Sequence, residues 1–471
     1  MLKKYRFNKN FDKFISQIIL MTCIICLYGV SLMAQPAGDS NKKILREPIL
    51  KKIADLLENK FVLPKIAKNY ADQFREIYEG GYYNAFTDAK EFARHVNKDL
   101  LAITNDRHIN FRVIEATEAG EKSANSLHHP IRYHLLGIKE NQGFEKLEWM
   151  DGDIGYLDIT RFYYYPDIKK RVVAAINFLS NANAIIIDLR ENGGGSGDFL
   201  SSYFLPYPTQ LNSWYSREDD FLTESWTIRE IGTERLTDVP LFLLTSSRTF
   251  SAAESFAYDL KVRKRAIIIG DSTKGGAHSV DLFQIDEQFE MYLSTVRAVN
   301  PVTGENWEGT GVIPDVFVPS ESALDTAIIL ARKAGADYAR SKESRLKIAV
   351  EEMQVHMDHA EKLFRDEHLS AAQSALDSVF QIADNANLVN EFFIDVLAYN
   401  YFSPENEQIL YAVLKKKIEF FPDSPSAYES LAYAYYKNNR KDLSIANYQK
   451  ILDLDADNRN ARHMIDRLQN Q

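Results

Sequence analysis

The residues with the most chemical promise in this 471-residue chain lie between Thr245 and Lys261, in the run Thr-Ser-Ser-Arg-Thr-Phe-Ser-Ala-Ala-Glu-Ser-Phe-Ala-Tyr-Asp-Leu-Lys. Pro240 to Leu244 ahead of it is an apolar run of buried-strand length, while Ala252, Ala253, Phe256, Ala257 and Leu260 recur at helical spacing. The chain therefore turns from strand to helix around Ser251. A serine at such a turn presents its hydroxyl to a cleft at the carboxyl end of a sheet, and the N–H groups of the first helical turn face any oxyanion beside it, which is what acyl transfer needs. The same residues also fit a plain helix cap, with Glu254 three positions on completing a capping box.

Other candidates stand at junctions of the same kind. Ala184 to Leu189 reads as a buried strand, and Gly193-Gly194-Gly195 follows it, so backbone N–H groups can converge there on an anion. A simple glycine turn is the alternative. No Gly-Lys-Ser/Thr closes the loop and the spacing does not fit a dinucleotide fingerprint, which excludes both common phosphate-binding readings. His108 sits in Asn105-Asp-Arg-His-Ile-Asn-Phe-Arg-Val113, where a turn feeds an alternating strand; alone it reads as a histidine that closes a turn. Glu308 lies in the turn-rich stretch Asn300 to Asp315, where a lone carboxylate is usually solvated. His278, in Gly275-Gly-Ala-His, is a second histidine that could line the same cleft and is an alternative base.

Taken together these stretches resemble the tail-specific, or C-terminal-processing, serine peptidases. The resemblance rests on Ser251-Ala-Ala-Glu254, Arg265-Ala-Ile-Ile-Ile-Gly270, Thr273-Lys-Gly-Gly276 and Glu308-Gly-Thr-Gly-Val-Ile-Pro-Asp315, and it spans roughly His108 to Asp315. It is strongest to the branch without a catalytic lysine, which includes the tricorn core protease and interphotoreceptor retinoid-binding protein. The lysine of the other branch falls at Gly276 here, and Lys274 is two positions away. What the resemblance implies is an α/β crotonase-like (ClpP/crotonase) core, Ser251 as nucleophile, His108 as base, Glu308 fifty-seven residues after the serine holding the histidine directly or through a neighbour, and an oxyanion hole from Gly193 or Gly194 with Ala252. A serine precedes the histidine in the tricorn pattern, whereas Arg107 stands here. Such chemistry needs no metal and no cofactor; the chain has no His-Glu-x-x-His motif.

Composition is consistent with that class. Charged residues make up 26% and hydrophobic ones 45%, enough for more than one packed core, and a net charge of -10 argues against a nucleic-acid partner. Residues 1–34 carry Lys3, Lys4, Arg6, Lys9 and Lys13 ahead of an apolar run from Ile18 to Met33, the pattern of a signal peptide and hence of export to a periplasm or the medium. Membrane attachment would follow only if this segment stayed uncleaved. Both cysteines, Cys23 and Cys26, fall within it, so the remainder offers no thiol chemistry.

The elements that must position these groups read in order. Residues 35–113 form an N-terminal helical subdomain with helices expected over Ile44–Phe61, Pro64–Gly80 and Tyr83–Leu101; residues 114–335 form the core. Ile131 to Leu136 reads as a strand. The interval between Phe111 and Gly155 is too short for a PDZ domain. Strands alternating with helices in the core predict a mostly parallel buried sheet. From 340 to 471 a shift of 34 superposes Leu397-Ala-Tyr-Asn-Tyr on Leu431-Ala-Tyr-Ala-Tyr and Asp423 on Asp457, the tetratricopeptide period, with a weaker copy over Met357–Asn387. Such an all-α array offers a surface for a protein partner, or caps the core. Two functions of different class follow: a peptidase acting on peptides or unfolded proteins, and a non-catalytic ligand- or peptide-binding protein on the same scaffold.

Overall fold

The computed structural model describes residues 46–114, 128–196 and 199–470. The signal-peptide expectation for 1–34 lies outside the described residues. Three helices open the structure, α1 (Arg46–Lys60), α2 (Pro64–Glu79) and α3 (Ala89–Thr104). The third begins later than Tyr83, because Tyr82–Ala85 forms a 3-10 turn and Asp88 caps α3 by accepting the Glu91 N–H at 2.8 Å. After β1 (Asn110–Val113), the stretch expected as a strand over Ile131–Leu136 is instead helical, within α4 (His128–Lys139). Its alternating pattern is too short to distinguish a strand from a helix, and no strand pairs with it among the described residues.

The core is organised by a six-stranded sheet of β2 (Phe144–Met150), β3 (Ile154–Ile159), β4 (Ala184–Asp188), β7 (Leu241–Thr245), β8 (Ile267–Gly270) and β11 (Val316–Phe317). Its order is β2-β3-β4-β7-β8-β11; only β2 runs antiparallel to its neighbour. Successive side chains on a strand face opposite ways, and the burial follows that rule. Leu157, Ile185, Ile187, Leu241, Leu243 and Ile268 pack against α5 (Tyr165–Leu179) and α6 (Ala252–Val262). Ile154, Tyr156, Ile186, Phe242, Leu244 and Ile269 pack on the other face against Ala323, Ala327 and Ala331 of α7 (Ala323–Arg365). Each fully buried Ile or Leu contributes roughly 1.5–3 kcal/mol, so truncating Ile187 to Ala would cost about 2–5 kcal/mol.

A second, antiparallel sheet joins the N-terminal helices to this core. Its central strand is β10 (Phe289–Val299), which pairs with β1, with β5 (Gln210–Ser216) and with β9 (His278–Gln284), while β6 (Phe221–Trp226) continues from β5. Phe111, Phe289 and Met291 from these strands meet Phe92 and Val96 of α3 in one cluster, which anchors the start of β1 next to the core.

The expected boundary between 335 and 340 falls inside α7, a single 43-residue helix. Its first turns lie on the sheet, and Met353, Met357 and Ala360 near its other end belong to the core of the C-terminal helices. Those are α8 (Leu369–Asn385), α9 (Glu391–Tyr399), α10 (Glu407–Phe420), α11 (Pro425–Lys437), α12 (Lys441–Leu454) and α13 (Arg459–Gln469). Helix starts at 391, 425 and 459, and again at 407 and 441, recur every 34 residues. Among the described residues, no helix is long and apolar enough to cross a membrane.

Candidate active site

Ser251 occupies the turn between β7 and α6 in a backbone conformation that few non-glycine residues adopt, with φ 56° and ψ −121°. Strain of this kind costs about 1–3 kcal/mol and persists only where the surroundings enforce it. Here the enforcing group is Glu254. Its carboxylate is fully buried and accepts the Ser251 N–H at 2.8 Å, as a capping box requires, together with the Gly275 N–H at 2.6 Å, the Gly276 N–H at 2.8 Å and the Thr273 hydroxyl. Burial pushes the Glu254 carboxyl above its usual range, while these four donors oppose the shift. The cap therefore does more than end a helix, since it ties the nucleophile turn to the 273–276 loop.

The glycine loop after β4 lies directly against this turn. A Cβ on Gly194, at φ +95°, would come within 2.8 Å of the Ser251 Cβ and 3.1 Å of the Ala252 nitrogen. As the first residue of α6, Ala252 has no carbonyl one turn back to receive its N–H. The Gly194 N–H is committed, because it donates to the side chain of buried Asn192 at 2.8 Å. Of the expected donors, Ala252 and Gly193 are the ones not held in this way. Asn192, which also donates to Ile159 O at 2.8 Å, shapes the loop and was not signalled by any pattern in the sequence.

His108 lies close to the serine through two neighbours. Its ring stacks on Phe250, the residue before Ser251, with centroids 4.4 Å apart. A Cβ on Gly276 would meet His108 Cε1 at 2.5 Å and Phe250 Cε2 at 2.2 Å, so the imidazole fills the space a side chain at 276 would need. Burial lowers the His108 pKa to about 4; the Asp106 charge resists this, while His278 and Lys274 add to it. Its Nδ1 is buried with no hydrogen-bond partner among the described residues. The Lys274 ammonium lies 4.6 Å from the centre of the Phe250 ring.

Glu308, expected to support the catalytic histidine directly or through a neighbour, contacts His278. Glu308 Oε2 accepts the N–H groups of Ala277 at 2.6 Å and His278 at 3.2 Å, and lies 3.6 Å from His278 Nδ1. Asp106, in the turn between α3 and β1, links both histidines. Its Oδ1 accepts the His108 backbone N–H at 2.9 Å, and its Oδ2 pairs with His278 Nδ1 at 2.8 Å. Burial alone would raise the Asp106 carboxyl, but the hydrogen bond and charge of His278 hold it below the usual carboxylate range. Burial opposes the charged form of His278 too, yet the Asp106 bond and the Glu308 charge raise it above an ordinary histidine. Burial, followed by the Asp106 charge, pushes Glu308 up to about 7. One ligand atom from each of Asp106, His278 and Glu308 lies within 4.8 Å of the others. The 2.8 Å Nδ1–Oδ2 separation is that of a shared proton, shorter than the roughly 3.3 Å kept by two donors bound at ~2.0 Å to a tetrahedral zinc ion. Asp106 was missed in the sequence, where only its place two residues before His108 could have drawn notice.

Ser251, Ala252, Gly276 and His278 line one cleft of about 460 Å³, whose remaining wall includes Gly195, Phe199, Leu211, Trp214, Trp226 and Trp307. The serine thus opens onto a largely apolar space with His278 at its edge.

Comparison with known proteins gives the family of the chain. Residues 153–318 match the sequence profile described as Peptidase family S41, and residues 44–147 match that of the N-terminal domain of this peptidase family in eukaryotic IRBP. A carboxyl-terminal-processing protease of Picosynechococcus is 27% identical over 190 residues, covering 39% of this chain and 44% of the relative. A tail-specific protease of Haemophilus influenzae is 28% identical over 250 residues, covering 48% of this chain and 33% of the relative. The chain spans less than half the length of the curated relatives it matches. Among solved structures, the photosystem II D1 C-terminal processing protease is similar at a TM-score of 0.38 and 15% identity, over 58% of this chain and 93% of that one. The tricorn protease is similar at a TM-score of 0.37 and 13% identity, over 62% and 37% of the respective chains. With its N-terminal domain over 44–147 and its core over 153–318, the chain belongs to peptidase family S41.

Proposed function

We propose that this chain is an exported serine peptidase that cleaves peptides or unfolded proteins through an acyl-enzyme on Ser251. His108 takes the proton of the Ser251 hydroxyl as it attacks the scissile carbonyl, and the Ala252 N–H with a backbone N–H of the 193–195 loop receives the oxyanion. The observation that carries this reading is the position of the His108 ring, in the space a side chain at Gly276 would occupy. A base placed there substitutes for the lysine of the other branch and supports the tricorn-like assignment. Glu308 acts through a neighbour, by way of His278 and Asp106, and not by touching His108. The core fits the crotonase-like class, and the recurrence of helix starts every 34 residues supports a tetratricopeptide array that binds substrate or a protein partner. Export rests on the basic-then-apolar pattern of residues 1–34. The test is a serine-reactive phosphonate, which labels Ser251 in the unaltered protein and leaves Ser251→Ala unlabelled. Labelling at Ser246 or Ser247 would refute the assignment.

The unpartnered Nδ1 of His108 and the apolar cleft favour a second reading, a binding protein for an apolar ligand or peptide. It predicts neither labelling nor cleavage, with tight retention of the ligand.

A further inference from the structure

The two histidines beside Ser251 are tied to one carboxylate yet stand in opposite environments. Asp106 takes Nδ1 of His278, leaving Nε2 as the ring nitrogen available to the cleft that His278 lines with Ser251. The charged groups facing His278 are Asp106 from the α3–β1 turn, Glu308 from the loop before β11, and, opposing them, Arg297 of β10. His108 faces Asp106, His278 and Lys274, and no carboxylate touches its ring nitrogens among the described residues. The charged form is thus favoured on one ring, by its bond to Asp106, and disfavoured on the other, which has no such bond. Where neighbouring groups are pushed apart in this way, the pair divides the acid and base roles.

We infer that His278 is a second catalytic residue, the general acid that protonates the leaving amine while His108 serves as the base. The inference rests on the peptidase reading above and deepens it. Protons balance over the cycle. In acylation, Ser251 Oγ bonds to the carbonyl carbon and its proton passes to His108; the C–N bond then breaks and the departing nitrogen takes the Nε2 proton of His278. In deacylation, neutral His278 removes a proton from the attacking water, and protonated His108 returns its proton to Ser251 Oγ as the ester bond breaks. Both rings end as they began. The Asp106 hydrogen bond, with the charge of Glu308 when ionised, favours the imidazolium of His278 between turns, whereas no carboxylate bonds the ring of His108 among the described residues.

A substrate whose leaving group needs no proton separates this role from a structural one. In the full-length chain, His278→Gln is expected to lower kcat/KM for a peptide amide by about 10²–10⁴-fold. The burst of p-nitrophenol from an activated ester should stay within about threefold of the unaltered protein, and phosphonate labelling of Ser251 should persist. His108→Ala should lose the amide reaction, the ester burst and the labelling together. Asp106→Asn keeps the ring and removes its anion, so amide cleavage should fall while the ester burst survives. If His278→Gln lost amide and ester reactions equally with an unchanged unfolding temperature, or lost neither, the inference would be overturned. If His278→Gln failed to fold, Asp106→Asn would decide, and equal loss on both substrates there would also overturn it. Absence of labelling and cleavage in the unaltered protein would instead refute the peptidase reading itself.

Discussion

Asp106 Oδ2 and His278 Nδ1 lie 2.8 Å apart although 172 residues separate them in the chain. The bond joins the end of the N-terminal helical region to the first residue of β9, so the site is complete only when both parts of the molecule are docked. A carboxylate 2% exposed needs such a partner, because an unpaired charge at that depth would be neutralised instead. Asp106→Ala is therefore expected to destabilise the fold by about 3–5 kcal/mol, read as a lowered midpoint in urea. A change below about 0.5 kcal/mol, the range of ordinary surface substitutions, would show that the pair does not hold the two parts together.

The strained backbone at Ser251 sets stability against activity. Glycine adopts φ 56°, ψ −121° with little strain, whereas alanine does not. Ser251→Gly should therefore unfold at a higher temperature than Ser251→Ala, by a difference of about 1 kcal/mol or more, while both are inactive. Equal unfolding temperatures would mean that the turn is not strained.

Gly276 is expected to tolerate no side chain. The added methyl of Gly276→Ala would overlap both Phe250 and His108, so the base must move. Peptide cleavage should fall by about 10²-fold or more, as misplacement by 1 Å near reacting groups does. Retention of full activity would show that the ring of His108 is free to lie elsewhere.

The pH dependence should betray the burial of His108. An unperturbed histidine base would give a rise in kcat/KM near 6.5. With burial lowering His108 to about 4, the ring is already unprotonated and competent at pH 5, so the acid limb moves down to about 4. Activity should then decline on the alkaline side, above the ordinary histidine value, as His278 gives up its proton. Lys274→Ala removes a like charge near His108, so its acid limb should move slightly upward with little change in the plateau. A limb fixed at 6 to 7 in both proteins would contradict the burial argument.

Much of this arrangement was legible in the chain because local chemistry and tertiary position agree. Ser251 was marked by an apolar strand meeting a helical period, and the glycine loop by its place after a buried strand, where Gly194 and Gly195 adopt positive φ. The paired strands β5 and β6, by contrast, are short, polar and half exposed, so their pattern carries little signal. Asp106, Asn192 and the fourfold role of Glu254 could not be read, because their partners lie far along the chain and only the folded sheet brings them close. The same holds for Glu308, whose motif was recognised but whose partner, His278 in place of His108, is decided by loop packing.

The unbroken α7 makes the C-terminal helices part of the same rigid rod as the sheet's far face. A helix advances about 1.5 Å and turns about 100° per residue, so the 43 residues set both a span and an angular phase between cleft and repeats. Tyr338 and Arg345 still bond Asp238 beside the sheet, but from there to Met353 no α7 residue is fully buried, which makes this shorter stretch a ruler whose length can be edited. Inserting one residue there would swing the C-terminal helices about a quarter turn relative to Ser251, whereas inserting four would nearly restore the phase and only lengthen the span. Under the proposed role of these helices in holding substrate, cleavage of long chains would follow the helical period of the insertion, while cleavage of short peptides would ignore it.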